Sequence, residues 1–216
     1  MDRDEPRCGL CQRLHPPFEK AVAYGSYDGG LRDLIHLLKF QQVRPAAAVL
    51  GRMLAEAITA LDTALPAGQV AVVPVPLHAR KRAQRGFNQA ELIARAALTQ
   101  LSHPERFQML AGALVRRRET ESQIGLTGHQ RRVNMRGAFA VADPAQIVKR
   151  NVLLVDDVFT TGTTVAECAT VLRRAGANRV YVATVARTLK ISEMFVVPEK
   201  EFEETNADRL AAAANG

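Results

Sequence analysis

The chain has 216 residues, of which 47% are hydrophobic and 24% are charged. This is typical of one globular domain with at most a small appendage. A chain of this length does not need disulfides to hold a core together, and its three cysteines fit a reducing compartment. With 29 Lys and Arg against 22 Asp and Glu, the formal charge is +7, which favours anionic partners such as phosphates or nucleic acid.

The opening sequence MDRDEPRC is charged where a secretory signal requires an apolar stretch. No window of the sequence approaches the roughly 20 apolar residues that span a bilayer. We therefore expect a cytoplasmic protein that does not insert into a membrane.

Strands and helices alternate along the first half of the sequence. Clusters of β-branched and aromatic residues predict strands, and recurring apolar residues at helical spacing predict helices. The predicted strands are residues 21–27 and 69–75, and the predicted helices are residues 31–38, 46–61 and 88–101.

The second half predicts a β-α-β unit. A short strand at residues 138–141 precedes residues 152–155, which form the clearest buried strand of the sequence. A helix at residues 164–175 stops at Gly176, and a strand at residues 179–186 follows. This order predicts an α/β fold with a parallel sheet and helices on both faces.

Two segments show no regular pattern. Residues 116–136 are polar and basic, and we expect a long loop, which in a compact domain is usually functional or disordered. Past Arg187 the chain becomes acidic and then low in complexity, which indicates a disordered tail.

The most informative stretch is VLLVDDVFTTGTT, residues 152–164. Asp156 and Asp157 follow a buried strand, and open parallel sheets bind ligands beyond the carboxyl ends of their strands. Because two adjacent carboxylates repel each other, we expect hydroxyl donors, a metal ion or both to compensate them. The residues after the pair lead into a helix N-terminus and can hold a phosphate. They are Thr160, Thr161, Gly162, Thr163 and Thr164.

Acceptors for sugar hydroxyls and donors for a phosphate together predict a ribose 5-phosphate site. The simpler alternative is a tight strand-to-helix turn capped by Asp and Thr. That alternative explains one Asp and one Thr, but not an acidic pair followed by four threonines around a glycine.

A second segment, after the predicted strand 69–75, is strongly basic. A cationic loop at a strand's carboxyl end suits a pyrophosphate group and its magnesium ion. The alternative is a solvated, basic helix entry with Asn88 as its cap. The basic residues of the segment are Arg80, Lys81, Arg82 and Arg85.

The stretch from Val152 to Thr164 resembles the phosphoribosyl pyrophosphate (PRPP) signature of type I phosphoribosyltransferases. The resemblance implies that Asp156 and Asp157 contact the ribose 2′- and 3′-hydroxyls and that residues 160–164 hold the 5′-phosphate. It also implies Mg²⁺ together with PRPP, and a parallel sheet of the type I phosphoribosyltransferase kind with a small N-terminal hood.

Further segments resemble the narrower ComF group of phosphoribosyltransferase-like proteins. They are VPVPLH, RGFNQAE, RGAF and YGSYDGGLRDLIHLLKF, and the resemblance extends over about residues 8–187. It implies a role in natural competence, the handling of imported single-stranded DNA, with competence proteins as possible partners. Its implied organisation is a zinc-finger-like remnant (1–20), a hood or helical region (21–68), a core (69–187) and an acidic tail (188–216).

ComF-like chains often begin with two C-x-x-C pairs that bind zinc. Only Cys8 and Cys11 occur here, and structural zinc takes four ligands, so a bound Zn²⁺ is doubtful. Cys168 lies on the apolar side of a predicted helix and is expected in the core.

The catalytic residues, and catalysis itself, stay unassigned. Purine-salvage phosphoribosyltransferases typically have an aspartate base three residues after the second acid, where this chain has Thr160, which has no useful basicity near neutral pH. If the chain is an enzyme, the resemblance implies phosphoribosyl transfer under a lid that contains Arg118, Gln123 and Arg131. The alternative for this loop is mobile, solvated charge.

Two other functions stay open. One is a phosphoribosyltransferase of nucleotide salvage or synthesis. The other is a single-stranded DNA-binding adaptor without catalysis, with Phe87 and Phe139 beside its basic loops. Residues 80–136 hold 12 Lys and Arg against 4 Asp and Glu, whereas the rest of the chain holds 17 against 18. The candidate phosphate-contacting residues are Arg116, Arg117, Arg118, Arg131 and Arg132.

Overall fold

A five-stranded parallel sheet organises the chain. The computed structural model describes residues 15–118 and 128–188. Within these ranges the strands are β1 (Ala21–Ser26), β2 (Val70–Pro74), β3 (Phe107–Met109), β4 (Leu114–Arg116), β5 (Phe139–Val141), β6 (Asn151–Phe159) and β7 (Arg179–Arg187). The helices are α1 (Gly29–Phe40), α2 (Ala46–Leu61), α3 (Ala79–Arg85), α4 (Gln89–Leu98), α5 (Gly128–Met135) and α6 (Thr163–Arg174).

The strand order creates a crevice between β2 and β6. The order is β1-β7-β6-β2-β3, and all neighbours are parallel. From β2 the chain continues outward to β3, and from β6 it continues outward in the opposite direction to β7. Open α/β sheets bind ligands beyond the strand ends at such a reversal. Pro74 of β2 pairs with Val155 of β6, so the residues that follow Pro74 and those that follow Val155 lie at this crevice.

Each face of the sheet has its own hydrophobic core. Alternate side chains of a strand point to opposite faces, and this alternation assigns the residues of β2 and β6 to two clusters. Val72, Leu153 and Val155 belong to the cluster formed with α1, α2 and α4. Val73 and Leu154 belong to the cluster formed with α6 and the β4–β5 pair. The predicted α/β fold with helices on both faces is confirmed.

The segment 21–68 contributes to the main sheet and to one of the two cores. β1 is an edge strand parallel to β7, and α2 packs closely against α4. A Cβ atom on Gly51 would lie 2.5 Å from Cβ of Ala96, so glycine allows the backbones of these two helices to approach. The hood region expected from the resemblance therefore shares its core with the sheet.

Two segments expected as loops contain helices. The basic segment after β2 forms α3, which ends at Gly86 in the left-handed region (φ +73°), the usual conformation of a helix C-terminus. Residues 128–135 of the expected loop 116–136 form α5. The short strands β3 and β4 were not predicted, because their three residues include a polar side chain, Gln108 or Arg116, and so form no apolar run like that of β5.

The residues after Thr188, including the expected disordered tail, lie outside the described ranges. Within the part of the chain that the structure describes, no helix has the length and apolarity needed to cross a membrane.

Candidate functional site

The acidic pair lies in the last part of β6, at the predicted crevice. The pair is largely buried: the Asp157 residue is 4% exposed and Asp156 is half-buried. The backbone N–H of Asp157 donates a hydrogen bond of 2.9 Å to Oδ1 of Asp156. Because successive strand residues alternate, Asp157 lies on the sheet face that α1 covers, and Asp156 lies on the face of β4.

Cationic side chains from three separate elements compensate the pair. Nζ of Lys39, in the last turn of α1, lies 2.8 Å from Oδ2 of Asp157. Burial lowers the pKa of Arg85 in α3, and the charge of Asp157 partly offsets this effect. On the other side of the strand, the charge of Arg116 in β4 lowers the pKa of Asp156. Hydroxyl donors or a metal ion were expected to compensate the pair, whereas among the described residues the protein's own cations do so.

These cations do not fully offset the cost of burying two carboxylates. Burial and, secondly, the negative charge of Asp157 raise the pKa of Asp156 from 3.8 to about 7. The charges of Lys39 and Arg116 and the hydrogen bond from the Asp157 N–H act in the opposite direction. At neutral pH the Asp156 carboxyl can therefore both donate a hydrogen bond to a ligand hydroxyl and accept one.

The threonine-rich loop joins the acidic pair to the start of α6. Gly162 is in the left-handed region (φ +72°), and a Cβ atom there would lie 2.6 Å from Cζ of Phe159. The hydroxyls of Thr161 and Thr163 are 2.9 Å apart. Asp156 and the loop line one small concave pocket, so a ligand beside it meets an acidic side chain on one side and helix N-terminal donors on the other. Its lining includes Asp156, Thr160, Gly162, Thr163 and Thr164.

The basic segment reaches the crevice through α3. Arg85 is the half-buried member of the segment, whereas Arg80, Lys81 and Arg82 are exposed. Asn88 caps α4 by accepting from the backbone N–H of Ala90 (3.1 Å). Its Nδ2 also donates to the carbonyl oxygen of Val75 (3.0 Å), which ties the helix entry to the end of β2. The two interpretations of this segment therefore coexist: it is a capped helix entry, and one of its cations faces the acidic pair.

The residues proposed for a lid or for DNA contacts have different surroundings. The Arg116 guanidinium lies 5.4 Å from the ring centroid of Phe139. Arg116 is half-buried, and its charge acts on Asp156. Arg117 is exposed. The Arg118 guanidinium donates to the carbonyl oxygens of Asn134 (2.8 Å) and Arg136 (3.1 Å), so it caps the C-terminal end of α5.

Several candidate residues cannot be placed. Gln123 lies outside the described residues, and so do Cys8 and Cys11, so zinc binding stays a prediction. Arg131 and Arg132 fall within α5, but their side chains are not described.

Two further expectations can be compared with the structure. Cys168 is fully buried in α6, which confirms its place in the core. Within residues 15–118 and 128–188, no group of three or more His, Cys, Asp or Glu side chains could hold a metal ion.

Sequence reasoning missed Lys39. The residue lies in the last turn of an amphipathic helix, more than a hundred positions before the acidic pair. A lysine near a helix C-terminus is ordinarily explained by its favourable interaction with the helix dipole. Only the packing of α1 against the sheet shows its ion pair with Asp157.

Comparison with known proteins agrees with this geometry. Residues 45–194 match the family model described as the phosphoribosyl transferase domain. The chain is 38% identical over 183 residues to "DNA utilization protein YhgH" of Escherichia coli K12, covering 84% of this chain and 78% of that protein. It is 34% identical over 185 residues to "Competence protein F" of Haemophilus influenzae, covering 83% and 78%.

Solved structures with a similar course of the chain include two enzymes. One is the allosteric regulatory enzyme of purine biosynthesis, with a TM-score of 0.40 and 23% identity over 66% of this chain. This chain spans only 26% of that enzyme's length. The other is hypoxanthine-guanine phosphoribosyltransferase of Schistosoma mansoni, with a TM-score of 0.36 and 16% identity, covering 67% of this chain and 57% of that one.

The family match and the relatives confirm the resemblance noted in the sequence. The chain therefore belongs to the phosphoribosyl transferase domain family and, within it, to the group that contains YhgH and competence protein F.

Proposed function

We propose that this protein binds PRPP in the crevice between β2 and β6 and acts in the handling of DNA. The observation that carries the PRPP part is the position of Asp156, Asp157 and the loop of residues 160–164 at the carboxyl end of β6, beside the reversal of the strand order. Ribose hydroxyls would contact Asp156 and Asp157, and the 5′-phosphate would accept hydrogen bonds from the loop. The pyrophosphate group would extend toward the cations of α3.

Magnesium enters this proposal as part of the ligand. Mg²⁺ is commonly bound through one or two carboxylates together with substrate phosphates rather than by an all-protein cage. The carboxylates here already face Lys39, Arg85 and Arg116. A resident magnesium site therefore does not fit the described residues, whereas an ion that arrives on the pyrophosphate does.

Phosphoribosyl transfer at this site would depend on positioning and charge. The carboxylates would fix the ribose, and the α3 cations would stabilise negative charge that develops on the departing pyrophosphate. Thr160 is exposed and supplies no general base for an incoming purine. This supports PRPP binding ahead of purine salvage, the second candidate function.

The role in DNA handling is supported by the relatives. They are named for DNA utilization and for competence, at 38% and 34% identity over most of this chain. The excess of basic residues in the segment 80–136 is consistent with a polyanionic partner.

Titration calorimetry with PRPP and MgCl₂ tests the binding site. We expect binding by the wild type and a large loss of affinity in Asp157→Asn, because the buried acceptor for a ribose hydroxyl is replaced by an amide. Asp143→Asn is the matched control, since Asp143 caps the short 3₁₀ helix Pro144–Gln146, which precedes β6 at the amino end of the strand.

No heat of binding in the wild type, or equal affinity in Asp157→Asn, would contradict the proposal. If PRPP binds, release of pyrophosphate in the presence of a panel of bases would identify a transferase. Binding without release would instead identify a PRPP-regulated adaptor.

A further inference from the structure

One aromatic side chain near the proposed PRPP site is exposed to solvent. Phe40, the last residue of α1, is 65% exposed, more than any other large hydrophobic residue that the structure describes. Burying a Phe side chain contributes about 1.5–3 kcal/mol to the free energy of folding or binding. A ligand that covers the exposed Phe40 ring would therefore gain stabilisation that the folded chain does not use.

The Phe40 ring contacts side chains from two helices, α1 and α3. The His36 ring meets it edge-on, with centroids 5.1 Å apart. The Tyr27 hydroxyl in turn lies 2.8 Å from Nε2 of His36. The guanidinium of Arg85, in α3, lies 5.4 Å from the Phe40 centroid. An exposed aromatic ring next to a guanidinium group is a surface on which a nucleic-acid base can stack.

The surface around Phe40 is cationic. α3 has the sequence ARKRAQR, with four cations and no acidic residue, and Arg85 connects this helix to Phe40. Arg44 lies nearby, with its guanidinium 5.4 Å from the Phe87 centroid. A stacking ring beside a row of cations is the combination that binds single-stranded nucleic acid, in which the phosphates follow the cations.

The aromatic residues expected to flank the basic loops cannot serve this purpose. Phe87 is 7% exposed and Phe139 is 4% exposed, so neither presents a face to a base. Arg85, whose guanidinium lies against the Phe40 ring, also interacts with the charge of Asp157, so a base on Phe40 would lie near the acidic pair.

We infer that Phe40 and Arg85, with the cations of α3, form a base-stacking site for single-stranded DNA. This inference names the surface for the DNA-handling part of the proposed function and does not depend on PRPP binding. It places the DNA contact at the junction of α1 and α3, whereas the sequence analysis expected it in the segment 116–136. A single strand is the occupant because a duplex keeps its bases stacked on one another.

The experiment uses the full chain and a labelled oligo-dT of about 16 nucleotides, followed by fluorescence anisotropy. Phe40→Ala should weaken binding about tenfold, because one base–aromatic stack is worth about 1–3 kcal/mol. The salt dependence should stay unchanged, since no charge is lost. Val148→Ala is the matched control, because Val148 is 51% exposed and precedes the opposite end of β6.

Two arginine variants test the contribution of the α3 cations to binding. Arg82→Ala should lower the salt slope by about 0.7, the loss of one phosphate contact to a single strand. Arg174→Ala, which removes an exposed cation at the C-terminal end of α6, should not change it. Equal affinity of Phe40→Ala and wild type, or a Phe40→Ala loss no larger than that of Val148→Ala, would overturn the inference.

The absence of tryptophan from the sequence provides a direct readout of stacking. Phe40→Trp introduces a unique fluorophore that oligo-dT should quench on binding and that PRPP should not. Unchanged fluorescence at saturating oligo-dT would overturn the inference, and so would quenching by dTMP at the same concentrations as oligo-dT. Because calorimetry with PRPP is a separate measurement, failure of the PRPP site and failure of the stacking site are distinguishable.

Discussion

At the scale of single residues, Asp156 links the site to pH. Burial and the charge of Asp157 raise its pKa from 3.8 to about 7. Between about pH 4 and 7 the folded chain therefore holds a proton that the unfolded chain releases, and this residue's contribution to stability falls as pH rises.

We expect the free energy of unfolding of Asp156→Asn, relative to wild type, to increase over that pH range. The increase should be at most about 1.4 kcal/mol per pH unit and should level off above about pH 7. Urea denaturation of both proteins at several pH values measures it. A difference that stays constant with pH would contradict the proposed titration.

Lys39 is the second residue with a measurable electrostatic role. Lys39→Met keeps the aliphatic stem but leaves the buried Asp157 carboxylate without its closest cation. We expect a loss of about 3 kcal/mol in the free energy of unfolding at neutral pH. Because the charge of Lys39 lowers the pKa of Asp156, the pH transition described for Asp156 should also move to higher pH.

The control for Lys39→Met is Arg32→Met. Arg32 and Asp33 form an exposed ion pair at 3.6 Å, and such pairs contribute little. If both variants lose the same small amount of unfolding free energy, the contact between Lys39 and Asp157 does not stabilise the fold more than an exposed ion pair does.

At the scale of elements, the loop between β6 and α6 requires its glycine. Gly162→Ala places a Cβ atom 2.6 Å from the Phe159 ring at a positive φ of 72°. We expect the loop to shift and PRPP affinity to fall by tenfold or more in calorimetry. Gly68→Ala also has a positive φ (92°), but its Cβ would meet nothing within 4 Å, so it should lose some stability and keep its affinity. Equal affinity in the two variants would show that the loop does not hold the phosphate.

The central elements could be predicted from the sequence, and the short ones could not. Residues 152–155 are a continuous apolar run, and residues 179–186 are predominantly apolar. Such segments identify buried strands whatever elements they pack against. β3 depends instead on its pairing with β2. In α5 the sequence GHQRRVNM shows little periodicity, and its C-terminal end is capped by Arg118 from another segment.

The same distinction applies to the site. Asp156, Asp157 and the loop of residues 160–164 are contiguous, so a local motif contains their chemistry. Lys39, Arg85 and Arg116 come from distant segments and meet the acidic pair only through tertiary packing. The sequence showed that charge compensation was needed, but not which residues supply it.

At the scale of the whole molecule, much of the basic excess of residues 80–136 serves internal contacts. Arg95 pairs with Glu91 at 2.9 Å, and Arg106 pairs with Asp62 at 2.7 Å. Arg116 faces Asp156, and Arg118 caps α5. α3 follows β2 directly at the crevice, so its cations are placed to meet an anionic ligand there.

Both proposed ligands use these α3 cations: the pyrophosphate of PRPP at one end, and DNA phosphates along the helix. We therefore expect PRPP with Mg²⁺ to weaken oligo-dT binding, and oligo-dT to weaken PRPP binding by the same factor, because coupling between two ligands is reciprocal. Anisotropy titrations with and without saturating PRPP measure the first effect, and calorimetry measures the second. In Asp157→Asn, which should not bind PRPP, oligo-dT affinity should be unaffected by PRPP. If saturating PRPP leaves oligo-dT affinity unchanged in the wild type, the two ligands occupy separate surfaces and α3 serves only one of them.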